Sequence, residues 1–302
     1  MLRHGREGRR NRRGLPVTVF HKIISDQAYS AYQNQLEREV RSQPLPQHIA
    51  IIMDGNRRFA REMGESPEEG HRRGRDKLEE VLHWCLDLGI KDLTVYAFST
   101  ENFRREESEV DYLMELLETT LYDFADDPRI HENEVKLRVI GDLDMVPEGI
   151  QEAADYALKK TEGYGKHSLN LAIAYGGRQD ITNAVRSLAQ DVLDGKIAVD
   201  DINEAMVSSR ISTNGLPDPD LVLRTSGELR ISNFLLWQMA YSELYFTDVY
   251  WPGFRYIDLL RAIRNYQNRK RRYGERPCST TSSSSMRPAS TISGRSPSST
   301  AQ

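Results

Sequence analysis

The fold is decided by the stretch His48-Ile-Ala-Ile-Ile-Met-Asp-Gly-Asn-Arg-Arg58, in which an apolar run ends abruptly in a carboxylate, a glycine, an amide and two guanidinium groups. The run from Ile49 to Ile52 predicts a strand that is covered on both faces, as in a parallel sheet. In open α/β sheets, ligands bind at the carboxyl ends of the strands. The polar residues after this strand are therefore the first candidates for a binding site.

These polar residues suit phosphate and divalent cations. Asp54 can hold a metal ion, Gly55 lets the backbone approach a phosphate, and the guanidinium groups of Arg57 and Arg58 can donate pairs of hydrogen bonds to phosphate oxygens. Local chemistry alone leaves one alternative open, a turn around Gly55 and Asn56 with both arginines in solvent.

Size and charge restrict the class of protein. With 302 residues, of which 38% are hydrophobic, the chain can bury one large core or two smaller ones. The net charge of -4 combines +5 from residues 1–14 and +2 from residues 275–302, so the body between them carries about -11. An acidic body argues against nucleic acid as the main ligand.

Cysteine usage and hydropathy predict a cytoplasmic protein. The chain has two cysteines, Cys85 and Cys278, whose spacing builds neither a disulfide framework nor a zinc site. The chain contains no run of 18 apolar residues, the length needed to span a membrane, and its arginine-rich start lacks the apolar segment of a secretory signal. We expect the first 14 residues to form a solvated arm, with contact to anionic lipid or RNA as the alternative.

The sequence pattern divides the chain into four segments. These are a disordered basic arm (1–14), a helical extension (15–46), a central domain (47–274) and a disordered tail rich in Ser, Thr and Pro (275–302). Within the central domain, strands are predicted at 49–53, 93–98, 135–140, 169–175, 220–223 and 244–246. Helices are predicted at 70–88, 107–125, 147–161, 178–195, 200–209, 232–241 and 256–272, after a first helix at 19–40 in the extension. This alternation predicts a single α/β domain with a mostly parallel sheet.

Three further polar clusters share the same chemistry. In residues 70–74, His71 opens a predicted helix, where free N–H groups could help to bind a diphosphate. In residues 96–105, polar side chains lie beside aromatic ones that would give a ligand an apolar wall, and an arginine adds another donor for phosphate. The alternative is that the polar residues form a turn that caps the next helix. In residues 224–232, Arg224, Arg230 and Ser232 form a loop rich in hydrogen-bond donors, and Glu243 beyond it is a second candidate metal ligand. Residues 175–178 form one more glycine turn that ends in an arginine.

The clusters together predict the kind of ligand. They contain many guanidinium and hydroxyl groups but only isolated carboxylates, which suits diphosphates bridged by Mg²⁺ better than an all-protein metal cage. Apolar side chains beside the loops indicate that the ligand also has an apolar part. A diphosphate on a hydrocarbon is the simplest molecule that meets both demands.

On these residues the chain resembles the cis-prenyltransferases, the undecaprenyl diphosphate synthase family, over roughly residues 47–274. It looks most like the archaeal branch, the tritrans,polycis-polyprenyl diphosphate synthases. The motifs that carry the resemblance lie at 48–58, 70–71, 96–105, 175–178 and 220–248, and the match extends to 271–274.

The resemblance implies a fold and an activity. The fold is a six-stranded, mostly parallel sheet whose helices enclose a hydrophobic tunnel, usually in a homodimer. The activity is the repeated condensation of isopentenyl diphosphate onto an allylic primer, geranylgeranyl or farnesyl diphosphate, with Mg²⁺ as cofactor. The product is a long polyprenyl diphosphate, the precursor of a glycosyl carrier lipid, and its release implies peripheral membrane contact. A non-catalytic partner subunit of the same fold is the alternative.

The resemblance also implies roles for residues at matching positions. Asp54 would hold Mg²⁺ and Asn56 would assist proton removal or orient the diphosphate, so both are catalytic candidates, and Glu243 would complete a metal site. The implied substrate-binding residues are Gly55, Arg57, Arg58, Phe59, His71, Phe98, Ser99, Thr100, Glu101, Asn102, Phe103, Arg105, Arg224, Arg230 and Ser232. The element Arg272-Tyr273-Gly274 would reach a neighbouring subunit.

The resemblance leaves two points undecided, the missing arginine before residues 70–71 and the lining of the tunnel. Pro67 stands where the family often has an arginine, and Arg72 or Arg73 could compensate for it. The tunnel would be lined by the helix at 107–125, with Phe124 as its floor, although apolar residues at helical spacing are more often plain core.

Overall fold

The computed structural model describes residues 17–269, with side chains from residue 29 onward. The basic arm, the Ser-rich tail, Cys278 and the element at 272–274 lie outside the described residues, so the expectations for them stay predictions.

Six strands form one sheet. They are β1 (His48–Ile52), β2 (Asp92–Ser99), β3 (Val135–Ile140), β4 (His167–Tyr175), β5 (Leu221–Arg224) and β6 (Glu243–Phe246). The strand order is β3-β4-β2-β1-β5-β6, and every pairing within residues 17–269 is parallel. The six predicted strands and the single α/β domain are confirmed, and β1 lies inside the sheet, between β2 and β5.

Nine α-helices are present within residues 17–269. They are α1 (Val17–Arg41), α2 (Asn56–Met63), α3 (Pro67–Leu88), α4 (Glu107–Asp126), α5 (Pro128–Glu132), α6 (Glu148–Thr161), α7 (Gly177–Leu193), α8 (Glu204–Ser208) and α9 (Tyr256–Asn268). None of the described helices is long and apolar enough to cross a bilayer.

The sheet is covered on both faces, as the apolar run of β1 predicts. Ile49 and Ile51 belong to a large core that includes residues of α3, α4, α6 and α9. Ala50 and Ile52 face the other way, into a smaller core that includes Phe234. All five residues of β1 are buried, which explains why its sequence shows no polar alternation.

The predicted helix at 232–241 is wrong. This segment forms a series of turns, because the backbone has positive φ at Ser232 (48°), Asn233 (62°) and Leu235 (42°). Its apolar residues are buried all the same, since the Phe234 ring stacks on the Tyr96 ring of β2 at a centroid distance of 4.5 Å. The burial of these side chains against the sheet, rather than helical periodicity, accounts for the apolar run.

Helix α2 was not predicted, because its first residues, Asn56 to Arg58, belong to the polar motif that was assigned to ligand binding. Glycines in the left-handed region flank it, Gly55 with φ 107° and Gly64 with φ 72°. A side chain at Gly55 would also collide with Tyr250, since its Cβ would lie 2.8 Å from Tyr250 Cδ1. Gly64 as a helix-ending residue was a signal that could have revealed the helix.

Candidate functional site

The carboxyl edge of the sheet brings the predicted polar clusters together. In the sheet register, Ile52 of β1 pairs with Tyr96 of β2 on one side and with Arg224 of β5 on the other. Asp54 follows β1 directly, and Ser99 ends β2. Because all the strands are parallel, loops far apart in sequence meet at this edge.

Asp54 is held by two arginines. Its Oδ1 accepts a hydrogen bond from Arg58 Nη2 at 3.0 Å, and its Oδ2 accepts one from Arg224 Nη2 at 2.8 Å. Burial by itself would raise the pKa of Asp54, but the hydrogen bonds and charges of Arg224 and Arg58 outweigh it and hold this pKa below its usual range. The carboxylate is therefore ionised at neutral pH, with 26% of its side chain exposed.

Arg224 lies beneath the donor-rich loop. Only 4% of its side chain is exposed. Its Nη1 donates to Ser232 Oγ at 2.7 Å and to the backbone oxygen of Arg230. Its Nε is buried without a hydrogen-bond partner, a donor that a bound oxygen could satisfy.

Two carboxylates that the sequence analysis did not assign to the site complete it. Glu228 accepts hydrogen bonds from Arg58 and Arg230. Glu109 of α4 accepts from Arg105 Nη1 at 2.7 Å and from Arg57 Nη1 at 3.3 Å. Each glutamate also pairs with an arginine close in sequence, and the four-residue spacing of Arg105 and Glu109 was a local signal that could have indicated Glu109, whereas the contacts with Arg57 and Arg58 join distant segments.

Glu109 also fixes His71. The imidazole Nε2 lies 3.1 Å from Glu109 Oε1, and because an ionised carboxylate only accepts hydrogen bonds, Nε2 must carry a proton. Burial lowers the pKa of His71, and the charges of Arg105 and Arg57 add to this against the opposing effect of Glu109. Helix α3 begins at Pro67, so His71 lies beyond its first turn, and the predicted position at the helix start is wrong.

Two polar cavities adjoin at this edge. The first has a volume of about 510 Å³, and the second of about 440 Å³. They share Met53, Asp54, Asn56, His71, Arg105 and Arg230. The first also contacts Ser99, Glu101, Asn102, Arg224, Ser232 and Asn233, and the second also contacts Gly55, Arg57, Arg58 and Glu228.

A small apolar cavity of about 70 Å³ continues from the first one. It shares Met53, Asn56, His71, Ala97 and Leu113 with that cavity and is further lined by Leu78, Leu116, Leu117 and Trp251, among others. This cavity is much smaller than the two polar ones, so the predicted hydrophobic tunnel stays a prediction. Phe124, predicted as the floor of the tunnel, is buried in the core.

Asn56 lies at the junction of all three cavities. It is the first residue of α2, and its Oδ1 is buried without a hydrogen-bond partner. Two glycines of α3 make room for it. A Cβ at Gly70 would lie 2.5 Å from the Asn56 backbone oxygen, and a Cβ at Gly74 would lie 2.7 Å from its Oδ1.

Several predicted residues lie away from the cavities. Phe98 is 1% exposed and packs edge-on against Phe103 in the core, so it forms no wall of the cavities described above. Phe59, Phe103 and Thr100 do not line these cavities either. Arg72 pairs with Glu69 and Asp76, and Arg73 pairs with Glu65, and neither arginine lines the cavities described above.

The structure does not bring Glu243 to Asp54 within one chain. Glu243 begins β6 and pairs in register with Leu221, which pairs with Ile49 at the amino end of β1. Asp54 follows the opposite end, about 10 Å or more along the strands and two strands across. The Glu243 carboxylate accepts a hydrogen bond from Arg269 Nη1 at 2.6 Å. Within one chain the two carboxylates therefore lie at opposite edges of the sheet, and the role of Glu243 in a metal site stays a prediction.

The donor set decides which metal the site could hold. No group of three or more potential ligands among His, Cys, Asp and Glu lies together in the described part of the chain. Mg²⁺ is commonly bound through one or two carboxylates, with substrate phosphates and water as the other ligands. The ionised, partly exposed Asp54 at the edge of both cavities fits that mode of binding.

Comparison with known proteins agrees with this arrangement. The sequence model of the undecaprenyl diphosphate synthase family matches residues 52–274. The chain is 52% identical to a tritrans,polycis-undecaprenyl-diphosphate synthase (geranylgeranyl-diphosphate specific) of Picrophilus torridus, over 81% of this chain and 96% of the relative. It is 50% identical to a synthase of the same name from Methanopyrus kandleri, over 88% of this chain and 98% of the relative.

A solved structure shares the fold. The crystal structure of lavandulyl diphosphate synthase from Lavandula x intermedia, in complex with dimethylallyl diphosphate, superposes with a TM-score of 0.72 at 38% sequence identity. The superposition covers 76% of this chain and 99% of the lavender enzyme. The chain belongs to the undecaprenyl diphosphate synthase family of prenyltransferases.

Proposed function

We propose that this chain condenses isopentenyl diphosphate repeatedly onto geranylgeranyl diphosphate, giving a long polyprenyl diphosphate with cis double bonds that serves as the precursor of a glycosyl carrier lipid. The observation that carries the proposal is the pair of adjoining cavities, which share Asp54, Asn56 and His71 and are lined by arginines. Two cavities suit two diphosphates whose reacting ends must meet.

The primer follows from the relatives. The archaeal relatives are named as specific for geranylgeranyl diphosphate, and they are about 50% identical to this chain over most of its length. Farnesyl diphosphate is the second candidate primer. The hydrocarbon of the primer would enter at the small apolar cavity beside Leu113 and Leu117, and this cavity would have to widen as the product lengthens.

The arginines perform the electrostatic part of the reaction. In each cycle the allylic C–O bond breaks and the diphosphate leaves with the electron pair, a C–C bond forms, and a proton is lost as the new double bond appears. Arg58, Arg105 and Arg230 line the second cavity, where negative charge would build up on the leaving diphosphate. Since these cations are already fixed by Asp54, Glu109 and Glu228, little reorganisation is needed.

The metal and the neutral polar groups complete the site. We propose that Asp54 holds Mg²⁺ together with phosphate oxygens, and that Mg²⁺ when bound neutralises charge on the diphosphate. The unpartnered Oδ1 of Asn56 can accept a hydrogen bond or orient the reacting ends at the cavity junction. The free Nε of Arg224 is a donor for phosphate oxygens, whereas the proton on His71 Nε2 is held by Glu109.

Incubation with radiolabelled isopentenyl diphosphate, geranylgeranyl diphosphate and Mg²⁺ tests this function, with products sized by reverse-phase chromatography. A ladder that ends at one long chain is expected, and it should be more abundant with geranylgeranyl than with farnesyl diphosphate. The absence of incorporation with either primer would point to the partner-subunit alternative. That alternative is not favoured, because Asp54, Asn56 and Arg58 are all present at the site.

The assembly and location are further parts of the proposal. A homodimer is supported by the family resemblance and by β6, which lies at the edge of the sheet that residues 17–269 form, and sedimentation velocity would test it. A cytoplasmic location is supported by the reduced, buried Cys85. Peripheral membrane contact is supported by the six arginines of residues 1–14, and flotation with anionic vesicles before and after their deletion would test it.

A further inference from the structure

The turn Tyr175-Gly-Gly-Arg178 takes no part in the site described above, but it has a clear binding partner within the chain. Helix α7 begins at Gly177, and its N-cap residue Gly176 has no side chain to satisfy the first N–H groups. The backbone N–H of Gly177 donates to the Asn233 backbone oxygen at 2.7 Å, and that of Arg178 donates to Asn233 Oδ1 at 2.9 Å. Asn233 therefore caps α7 from a distant segment.

The two glycines make room for this contact. A Cβ at Gly176 would lie 2.8 Å from Asn233 Nδ2 and 2.9 Å from Thr100 Oγ1. A Cβ at Gly177 would lie 2.7 Å from Leu236 Cγ and 3.1 Å from the Asn233 backbone oxygen. The glycine pair thus serves the docking of residues 233–236 rather than the approach of a phosphate.

The other end of the Asn233 amide reaches the reaction site. Its Nδ2 donates to Glu101 Oε1 at 3.1 Å, and both side chains line the first cavity. A carboxylate only accepts and a backbone N–H only donates, so the two partners together fix which way the amide points. The backbone of Asn233 has φ 62°, a left-handed conformation that asparagine tolerates better than most residues.

We propose that Asn233 is a positioning residue of the condensation site, whose amide holds the Glu101 carboxylate at the wall of the first cavity and ties the Arg230–Ser232 loop to the start of α7. The inference rests on the proposed function, because it assigns a task to a residue that lines the proposed site. It gives the Tyr175–Arg178 motif the role of an anchor, since that turn holds the amide in place.

The surroundings of Glu101 make the contact measurable. Besides Asn233, its carboxylate faces the hydroxyl groups of Ser99 and Thr100 and, on β2, the phenol of Tyr96, while Arg224 and Arg230 line the same cavity. Burial by itself would raise the pKa of Glu101, but hydrogen bonds from its own backbone, Asn233, Ser99 and Thr100 hold this pKa below its usual value. Removing the amide donor should therefore raise it.

The test compares Asn233→Asp and Asn233→Gly with the wild type, each also in a Glu101→Gln background. Asn233→Asp keeps the shape and the cap on α7 but places a negative charge against Glu101, and Asn233→Gly keeps the left-handed backbone without strain. Asn183→Asp is the matched control, because Asn183 is an exposed residue of α7 itself. The readouts are kcat and KM for isopentenyl diphosphate, the melting temperature, and the Glu101 titration followed by carboxyl ¹³C NMR.

We expect Asn233→Asp to raise the Glu101 pKa and to lower kcat/KM at least tenfold, with less than a twofold further loss in the Glu101→Gln background. Equal fold losses in both backgrounds, or an unshifted Glu101 titration, would overturn the inference. The titration needs no turnover, so it decides the role of Asn233 even if the wild type makes no polyprenyl product, a result that would count against the proposed function alone.

Discussion

Asp54 Oδ2 lies 2.8 Å from Arg224 Nη2, a contact that joins the ends of the neighbouring strands β1 and β5. The guanidinium is 4% exposed, so without this carboxylate it would be a buried charge with little compensation. The same Asp54 also accepts a hydrogen bond from Arg58. One carboxylate therefore fixes two of the cations that would receive a diphosphate.

The substitution Asp54→Asn should lower kcat by about 10²- to 10³-fold, because an amide neither attracts Mg²⁺ strongly nor keeps both arginines in place. The measurement is incorporation of radiolabelled isopentenyl diphosphate at saturating primer and Mg²⁺. Asp155→Asn is the control, since Asp155 is an exposed residue of α6 that pairs with Lys159. Equal activity of the two variants would contradict the role given to Asp54.

The substitution Glu109→Gln should raise KM for the allylic primer about tenfold and should reduce the free energy of unfolding by about 1–3 kcal/mol. The reason is that one carboxylate, with 12% of its side chain exposed, orders Arg57, Arg105 and His71. Primer kinetics and urea unfolding provide the two readouts. Glu115→Gln, at an exposed position on the same helix, should change neither KM nor the free energy of unfolding. If Glu109→Gln also changes neither quantity, Glu109 has no role in the site.

The substitution Gly74→Ala should reduce activity through Asn56. The new methyl group would lie 2.7 Å from Asn56 Oδ1, and overpacking of this kind typically costs about 1–3 kcal/mol of stability. We expect at least a tenfold loss of kcat, together with a lower melting temperature. Gly163→Ala is matched to it, because a Cβ at Gly163 meets no atom within 4 Å, and its kcat should stay at the wild-type value. Full activity of Gly74→Ala would show that Asn56 tolerates displacement.

Stability should fall on acidification because of His48 at the amino edge of the sheet. Its Nδ1–H donates to the Pro217 backbone oxygen, so its Nε2 accepts from Thr94 Oγ1, both at 2.7 Å. Burial lowers the pKa of His48 below its value in the unfolded chain, which is about 6.5. The neutral ring thus contributes fully above pH about 6.5, and its contribution is lost as the pH falls below that value.

Urea unfolding at several values between pH 7.5 and 5 measures this effect. The wild type should lose more free energy of unfolding over the interval than His48→Asn, whose side chain does not titrate. If the wild type and His48→Asn show the same slope, His48 is not the group responsible.

Local sequence predicted the elements that local physics determines. Apolar runs bounded by glycine, proline and polar residues predicted the first and last residues of all six strands to within two positions. The predicted parallel arrangement placed Asp54 and Arg224 at the same carboxyl edge of the sheet. The prediction was wrong at 232–241, where the apolar residues follow the surface of the sheet while positive φ angles at Ser232, Asn233 and Leu235 interrupt any helix. The structure places Phe98 in the core and away from the cavities described above, since an aromatic residue near a motif can serve the core as well as a cavity.

By itself the sequence determined the fold class, the family and the diphosphate chemistry, because strand patterns and ordered motifs are short-range features that can be read from the sequence. Only the tertiary structure showed that Glu109 and Glu228 orient the arginines, that Asn233 caps α7 while holding Glu101, and that Glu243 lies at the far end of the sheet. Each of these relationships joins side chains on different segments, most of them far apart in sequence. Their contacts depend on how whole loops pack at the edges of the sheet, and no local pattern encodes that packing.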